Sequence, residues 1–533
     1  MRTLARMGHT EELLLGLMVA VAGLSVVARW LGKPYPILLV LGGLAIGFVP
    51  GLPDVQLDPN LVLLLFLPPL LYGAAFFTSL RELFRAWRPI ALLAVGLVVL
   101  TTFAVAGVAH ALIPALPWAA AFVLGAVVAP TDALAATSIA RRLGVPRRIV
   151  TVVEGESLIN DGTALAAYSV AVAAVLTSHF SAAHAGLEFV FDTAGGVLVG
   201  LVVGWLVTAL RKPLDDPPVE VTISLATGYA AYLPAQALGL SGVLAAVTTG
   251  IYLGWQAPVI ASAEMRMRGF AVWDTVTFLL NAILFILIGL QLPVILDGLQ
   301  SQSFAELIGY AAAVIATVVG ARLLWGFSVP YLLRLLDPRL RAGQGRSTWQ
   351  SRVVIAWAGM RGAVSLAAAL ALPLHTHSGA PFPARDLIIF LAFCVILWTL
   401  VVQGLTLPAL VRRLGIEEDD SEEREEVNAR RAAAAAALER LEELAGEDWT
   451  QDDTVQRVRG LYEYRRRRFE ARADGDGSDG IEERSAAYQR LQRELLNAQR
   501  DELTRLRRNR EISDDVMRKV QRDIDLEDTR LEI

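Results

Sequence analysis

Residues 127–164 read VVAPTDALAATSIARRLGVPRRIVTVVEGESLINDGTA, and the fold of the whole chain turns on them. Both halves belong to apolar runs, yet the first is interrupted by Pro130-Thr131-Asp132 and the second carries Glu154, Glu156 and Asp161. Pro130 removes a backbone donor and frees a carbonyl. Broken backbone and carboxylates inside an apolar segment are tolerated only where they are buried in protein or line a wet cavity. Outward from this stretch, apolar segments of about 20 residues, the length demanded by a bilayer core roughly 30 Å thick, recur from Glu11 to about Arg412. The 533-residue chain is 54% hydrophobic and 19% charged, with the charge crowded beyond Leu414. This split predicts an all-α polytopic membrane protein, with a transmembrane domain over 1-413 and a helical cytoplasmic tail over 414-533.

Thirteen spans are expected, at 11-30, 35-50, 59-78, 88-112, 117-141, 146-177, 190-210, 219-237, 240-255, 270-297, 304-334, 350-374 and 386-412. Eighteen Lys and Arg residues, from Arg29 and Lys33 to Arg346 and Arg352, follow odd-numbered spans, and only Arg385 follows an even-numbered one. The positive-inside rule then sets the odd loops and the tail in the cytoplasm. The N-terminus faces out, against the charge of Arg2 and Arg6. Spans 1-6 and 8-13 start on opposite sides, which is the layout of an inverted repeat. Helix breakers fall at matching places: Pro130-Thr131-Asp132 in span 5 and Gly359-Met360-Arg361-Gly362 in span 12. Two discontinuous helices, one per repeat, point to a binding site between them.

Ionisable groups at membrane depth cost at least about 2.5 kcal/mol each and mark function by default. They cluster here as Asp132, Glu154, Glu156, Asp161 and Arg361, with Arg322 inside span 11. At helical spacing Ser157 and Asp161 share one face, and Glu156 and Asn160 the adjacent one. Asp132, Asp161, Ser157 and the carbonyl of Thr131 could supply the hard oxygens that Na⁺ or K⁺ requires. A proton can take the cation's place on the same carboxylate, so the two ions compete. Competition with alternating access is exchange. A membrane sensor signalling through the tail and a cation channel are the other classes compatible with such a chain.

Six stretches together carry a resemblance: LPPLLYGAA (67–75), VVAPTDALAATSIARRLGVPRR (127–148), EGESLINDGTA (154–164), FLLNAILFILIGLQLP (278–293), WAGMRGAVSLAAALALP (357–373) and QGLTLPALV (403–411). With them the chain resembles the bacterial sodium/proton antiporters of the monovalent cation:proton antiporter superfamily, NhaP-like and related to animal sodium/proton exchangers. The resemblance implies a plasma-membrane homodimer of thirteen-helix subunits exchanging Na⁺, or K⁺ or Li⁺, for H⁺. It implies Asp161 as the ion-binding carboxylate, with Asp132 and Ser157 in the shell and Asn160 bound to Thr131 across the crossed helices. It also implies a Glu156–Arg361 pair, and electroneutral exchange from an Asn-Asp rather than an Asp-Asp pair in helix 6. The chain departs from the family at Gly73, where an acid is usual. One missing carboxylate, replaced by water, is the expectation there.

The remaining features read blandly. Cys394 stands alone, so no disulfide or thiolate metal site is expected. The histidines His9, His110, His179, His184, His375 and His377 sit at span ends or in loops and read as interface residues. Gly196, Gly200 and Gly204 suit either dimerisation or close packing within one subunit. Trp30, Trp118, Trp205, Trp255 and Trp349 read as interfacial anchors. Asp474 to Gly480 lacks the glycine and bidentate glutamate of a calcium loop and reads as a linker. The run Arg465 to Arg468 reads as a solvated face, with anionic lipid as the alternative partner. Tail helices are expected over 431–444, 462–472 and 484–508, the last with an apolar stripe of Leu491, Leu495, Leu496, Leu503 and Leu506. No nucleotide-binding motif, cofactor motif or basic surplus is present, so ATP-driven pumping, enzyme chemistry and nucleic-acid binding are not expected.

Overall fold

The computed structural model describes residues 2–50, 64–114, 116–177, 182–297, 299, 303–336, 348–416, 421–474 and 481–531. Lipid offers the backbone no hydrogen-bond partner, and helices are the structure that satisfies every amide internally. Among the described residues the chain is helical throughout, its sole extended pairing being an isolated bridge between His375 and Pro381. Eight helices among the described residues are long and apolar enough to cross a membrane, including Trp87–Leu112, Arg147–Thr177, Ala263–Leu296 and Arg385–Arg413. Shorter apolar helices lie at Leu15–Trp30, Tyr35–Gly47 and Leu67–Phe76.

Two units can be distinguished, Met1–Glu418 and Asp419–Ile533. In the first, glycines bring helices into backbone contact around Leu67–Phe76. A Cβ on Gly228 would lie 2.7 Å from the Pro68 carbonyl, and one on Gly250 would lie 2.6 Å from the Tyr72 carbonyl. The helices Pro217–Ala237 and Gly242–Ile260 thereby clamp Leu67–Phe76 between them. Gly196 and Gly200 are used in the same way against the Ser241 and Ala245 carbonyls of the same chain, and Gly204 makes room for the Tyr252 ring. The five tryptophans expected as anchors are all exposed.

Two differences from the expected spans have simple causes. The tenth begins at Ala263 rather than 270, because Ser262 accepts from Met265 N at 3.1 Å and Glu264 pairs with Arg268 at 2.6 Å. A cap and an i,i+4 pair extend a helix through residues that hydropathy assigns to a loop. Arg211, one of the eighteen cations assigned to the loops after odd-numbered spans, is instead 2% exposed and paired with Glu220 at 3.0 Å.

The second unit consists of helices Ser421–Leu444, Asp452–Asp474, Ile481–Arg508 and Asp514–Leu531. The last lies beyond the expected tail helices and is tied back by Arg500, which reaches Asp525 at 2.9 Å and Asp528 at 2.7 Å. Of the apolar stripe, Leu496 is buried, while Leu491 and Leu495 are exposed. Residues 475–480 of the acidic linker lie outside the described residues.

Candidate ion-binding site

Both predicted interruptions are present. Helix Trp118–Val128 stops before Pro130, and Ala133–Arg142 resumes after Asp132; likewise Trp349–Trp357 stops and Ala363–Leu370 resumes after Gly362. The extended segments cross and are joined through the main chain, Asp132 N–H donating to the Met360 carbonyl at 2.7 Å. Asp132 also caps its own half-helix, Oδ1 accepting from Leu134 N at 2.8 Å. Gly362 is required by this approach, since a Cβ there would overlap the Asp132 carboxylate.

Each first half-helix ends in carbonyls without intrahelical partners, carrying partial negative charge. A buried arginine meets each end. Arg361 donates Nε to the Val128 carbonyl at 3.1 Å and Nη1 to the Gly359 carbonyl, and its own N–H is held by Thr399 Oγ1 at 3.1 Å. Arg322 donates to the Ala356 and Ile355 carbonyls, both at 3.1 Å. Arg322 is also the partner of Glu156: Nη1 and Nη2 form a two-pronged pair with its carboxylate, the Nη2 contact at 2.8 Å, and both side chains are 2% exposed. The Glu156–Arg361 pair expected above is therefore corrected to Glu156–Arg322, because the Arg361 guanidinium is turned to backbone carbonyls.

A hydrogen-bonded chain links this pair to the crossing. Asn160 Nδ2 donates to Thr131 Oγ1 at 2.8 Å, and Thr131 Oγ1 donates to Glu156 Oε1 at 3.1 Å. Ser157 Oγ accepts from Ala133 N at 3.2 Å. Glu154 stands further out, paired with the exposed Arg141 at 2.8 Å. Asp132 and Asp161 are thus left without an arginine among the described residues, and Asp161, 7% exposed, accepts no hydrogen bond from them. Both line a cavity of about 540 Å³ together with Thr131, Ser157, Asn281 and, at its rim, Arg141, Glu154 and Asp274.

This arrangement, carboxylates without counter-ions at the crossing of two broken helices, coincides with a family match. The model of the family described as "Sodium/hydrogen exchanger, transmembrane" matches residues 16–413. The chain belongs to the sodium/hydrogen exchanger family. This exchanger is 41% identical, over 98% of its length and 97% of the other's, to the Mycobacterium tuberculosis H37Rv protein named "Uncharacterized Na(+)/H(+) exchanger Rv2287". It is 34% identical, over 71% of its length and 58% of the other's, to the "Sodium, potassium, lithium and rubidium/H(+) antiporter" of Bacillus subtilis. In fold it is similar to the sodium proton antiporter MjNhaP1 from Methanocaldococcus jannaschii, with a TM-score of 0.58 over 76% of this chain and 100% of that one at 20% identity.

The exchanger's cavity contains residues that sequence reasoning passed over. Asn281, inside an apolar run, was open to the same rule that singled out the aspartates, since it is a polar group at membrane depth. Asp274 was hidden by its place near a span end; Thr399, which lies at the second break and not on the cavity, was hidden by its ordinary type. Gly73 itself stands against an indole: a Cβ at 73 would lie 3.0 Å from the Trp273 ring. Trp273 is 2% exposed and is fixed by its Nε1 donating to Ser224 Oγ at 3.0 Å.

Proposed function

We propose that this exchanger trades a monovalent cation, Na⁺ foremost with K⁺ and Li⁺ as alternatives, for H⁺ across the plasma membrane, cation and proton competing for Asp161 as the site faces one side and then the other. The observation that carries this reading is that Glu156 and Glu154 have arginine partners whereas Asp132 and Asp161, at the inner end of an open cavity, have none among the described residues. A pair of carboxylates without a counter-ion is stabilised by whichever cation arrives, and a proton serves the same carboxylate. Ser157 and Thr131 add neutral oxygens suited to a hard, weakly charged ion. Asn160, by contrast, brings no charge. One titrating carboxylate in the helix supports electroneutral exchange.

The arginine distribution supports a cytoplasmic tail over 414-533, an external N-terminus and a cavity mouth, at Arg141 and Glu154, that opens to the cytoplasm. A homodimer is the assembly proposed for the domain over 1-413. Backbone-joined helix breaks favour alternating access over the channel reading, because a pore has no need of a crossing that ends the cavity at its ion site. The sensor reading has no support in a carboxylate left free beside that crossing.

Reconstituted protein under an imposed pH gradient tests the proposal. Na⁺, K⁺ or Li⁺ added outside should collapse the gradient in wild type. Asp161→Asn should abolish that response while retaining a monodisperse, folded protein. Wild-type rates in the variant would remove Asp161 from the mechanism.

A further inference from the structure

One acid on the cavity is used neither by the crossing nor by the proposed exchange step. Asp274 belongs to helix Ala263–Leu290, one turn before Thr277 and two before Asn281, and all three line the cavity that ends at Asp132 and Asp161. Spacings of three and seven put them on one helix face. Asp274 is exposed and Asn281 is buried, so this polar stripe runs from solvent toward the ion site.

Charge along that path is one-sided. The carboxylates of Asp132, Glu154, Asp161 and Asp274 line the cavity against the single guanidinium of Arg141, which is already engaged by Glu154 at 2.8 Å. Asp274 has no ion-pair partner among the described residues. The two arginines of its own helix are committed elsewhere, Arg268 to Glu264 at 2.6 Å and Arg266 to the Ala261 carbonyl at 2.5 Å. A carboxylate of this kind at a mouth walled by apolar side chains focuses the field and raises the local concentration and association rate of cations. Its exposure makes the effect sensitive to salt, with a screening length of about 10 Å at 0.1 M.

We propose that Asp274 is the entry carboxylate of the exchanger, a positioning residue that draws the cation into the cavity before Asp132 and Asp161 bind it. The inference rests on the exchange reading above. It assigns Asp274 to the rate of ion capture and leaves the chemistry of exchange to Asp161.

The test is proton flux in everted membrane vesicles carrying the full chain, titrated with Na⁺ and in parallel with K⁺, at low ionic strength and again with choline chloride added. Asp274→Asn should raise the apparent KM for the cation about threefold to tenfold at low ionic strength, with a much smaller change in maximal rate. Choline chloride should narrow the gap between variant and wild type, and Asp274→Glu should restore the wild-type KM. Asp274→Ser provides a second neutral variant with the same expectation. An unchanged KM at low ionic strength, or a shift that salt leaves intact, would overturn the entry role. A wild type without cation-dependent flux would instead count against exchange itself.

Discussion

The main-chain N–H of Asp132 donates to the main-chain carbonyl of Met360 across 2.7 Å, joining the break in one helix to the break in another 228 positions along the chain. Buried amides must be paired, and here each interruption satisfies the other. Asp132 then caps one half-helix while Arg361 and Arg322 cap the carbonyl ends of two others. Charge at the crossing is thus balanced by main-chain dipoles as much as by ion pairs.

The Glu156–Arg322 pair gives a thermodynamic prediction. Removing one partner of a buried pair costs about 3–5 kcal/mol, because the other charge is left uncompensated. Glu156→Ala and Arg322→Ala should each lower thermal stability in detergent, and the double variant should lose much less than the sum. Glu156→Ala combined with Arg361→Ala should be closer to additive, since Arg361 binds carbonyls. Coupling confined to the Arg361 cycle would reverse the assignment.

Gly362→Ala should disable transport. The added Cβ overlaps the Asp132 carboxylate, so either the cap on Leu134 or the bond to Met360 has to give. Vesicle flux should fall by at least about tenfold, in keeping with about 1.4 kcal/mol or more of site distortion. Flux near the wild-type level would show that the crossing tolerates the displacement.

Exchange should not respond to voltage. With the pH gradient clamped, a potassium diffusion potential imposed with valinomycin should leave the Na⁺-driven proton flux unchanged. Asn160→Asp, which adds a carboxylate beside Asp161, is the informative contrast. A voltage-dependent wild-type rate would require a second charge to move with the ion.

At Gly73 the prediction concerns packing. The Trp273 ring lies 3.0 Å from where a Cβ would stand and is held by Ser224, so Gly73→Ala should cost about 1–3 kcal/mol through overpacking. Trimming the ring with Trp273→Phe should recover part of that loss. If Gly73→Ala melts with wild type, the indole has room to move and a longer acid could be accommodated as well.

Much of this was legible in the sequence because it depends on periodicity and on rarity. Apolar length marked the spans, and helix breakers with carboxylates at membrane depth marked Asp132, Asp161 and the two interruptions. Partner choice was not legible. Arg322 and Arg361 are both intramembrane arginines, and which one meets Glu156 depends on where the second crossing turns each guanidinium. Asp274 was passed over and Arg211 counted as a loop charge for a related reason: hydropathy treats a charge near a span end as solvated, whereas one lines the cavity and the other is sealed against Glu220.

The stitch between Asp132 and Met360 has a bearing on how such proteins diverge. It is made of peptide groups, so replacing the side chains that face the cavity does not loosen it, provided that position 362 stays bare. Ion preference can therefore wander while the frame holds still. Changes in selectivity should accumulate on the cavity wall, at places such as Gly73, Asp274 and Asn281, and loss of function should accumulate at the few small residues that let two main chains touch.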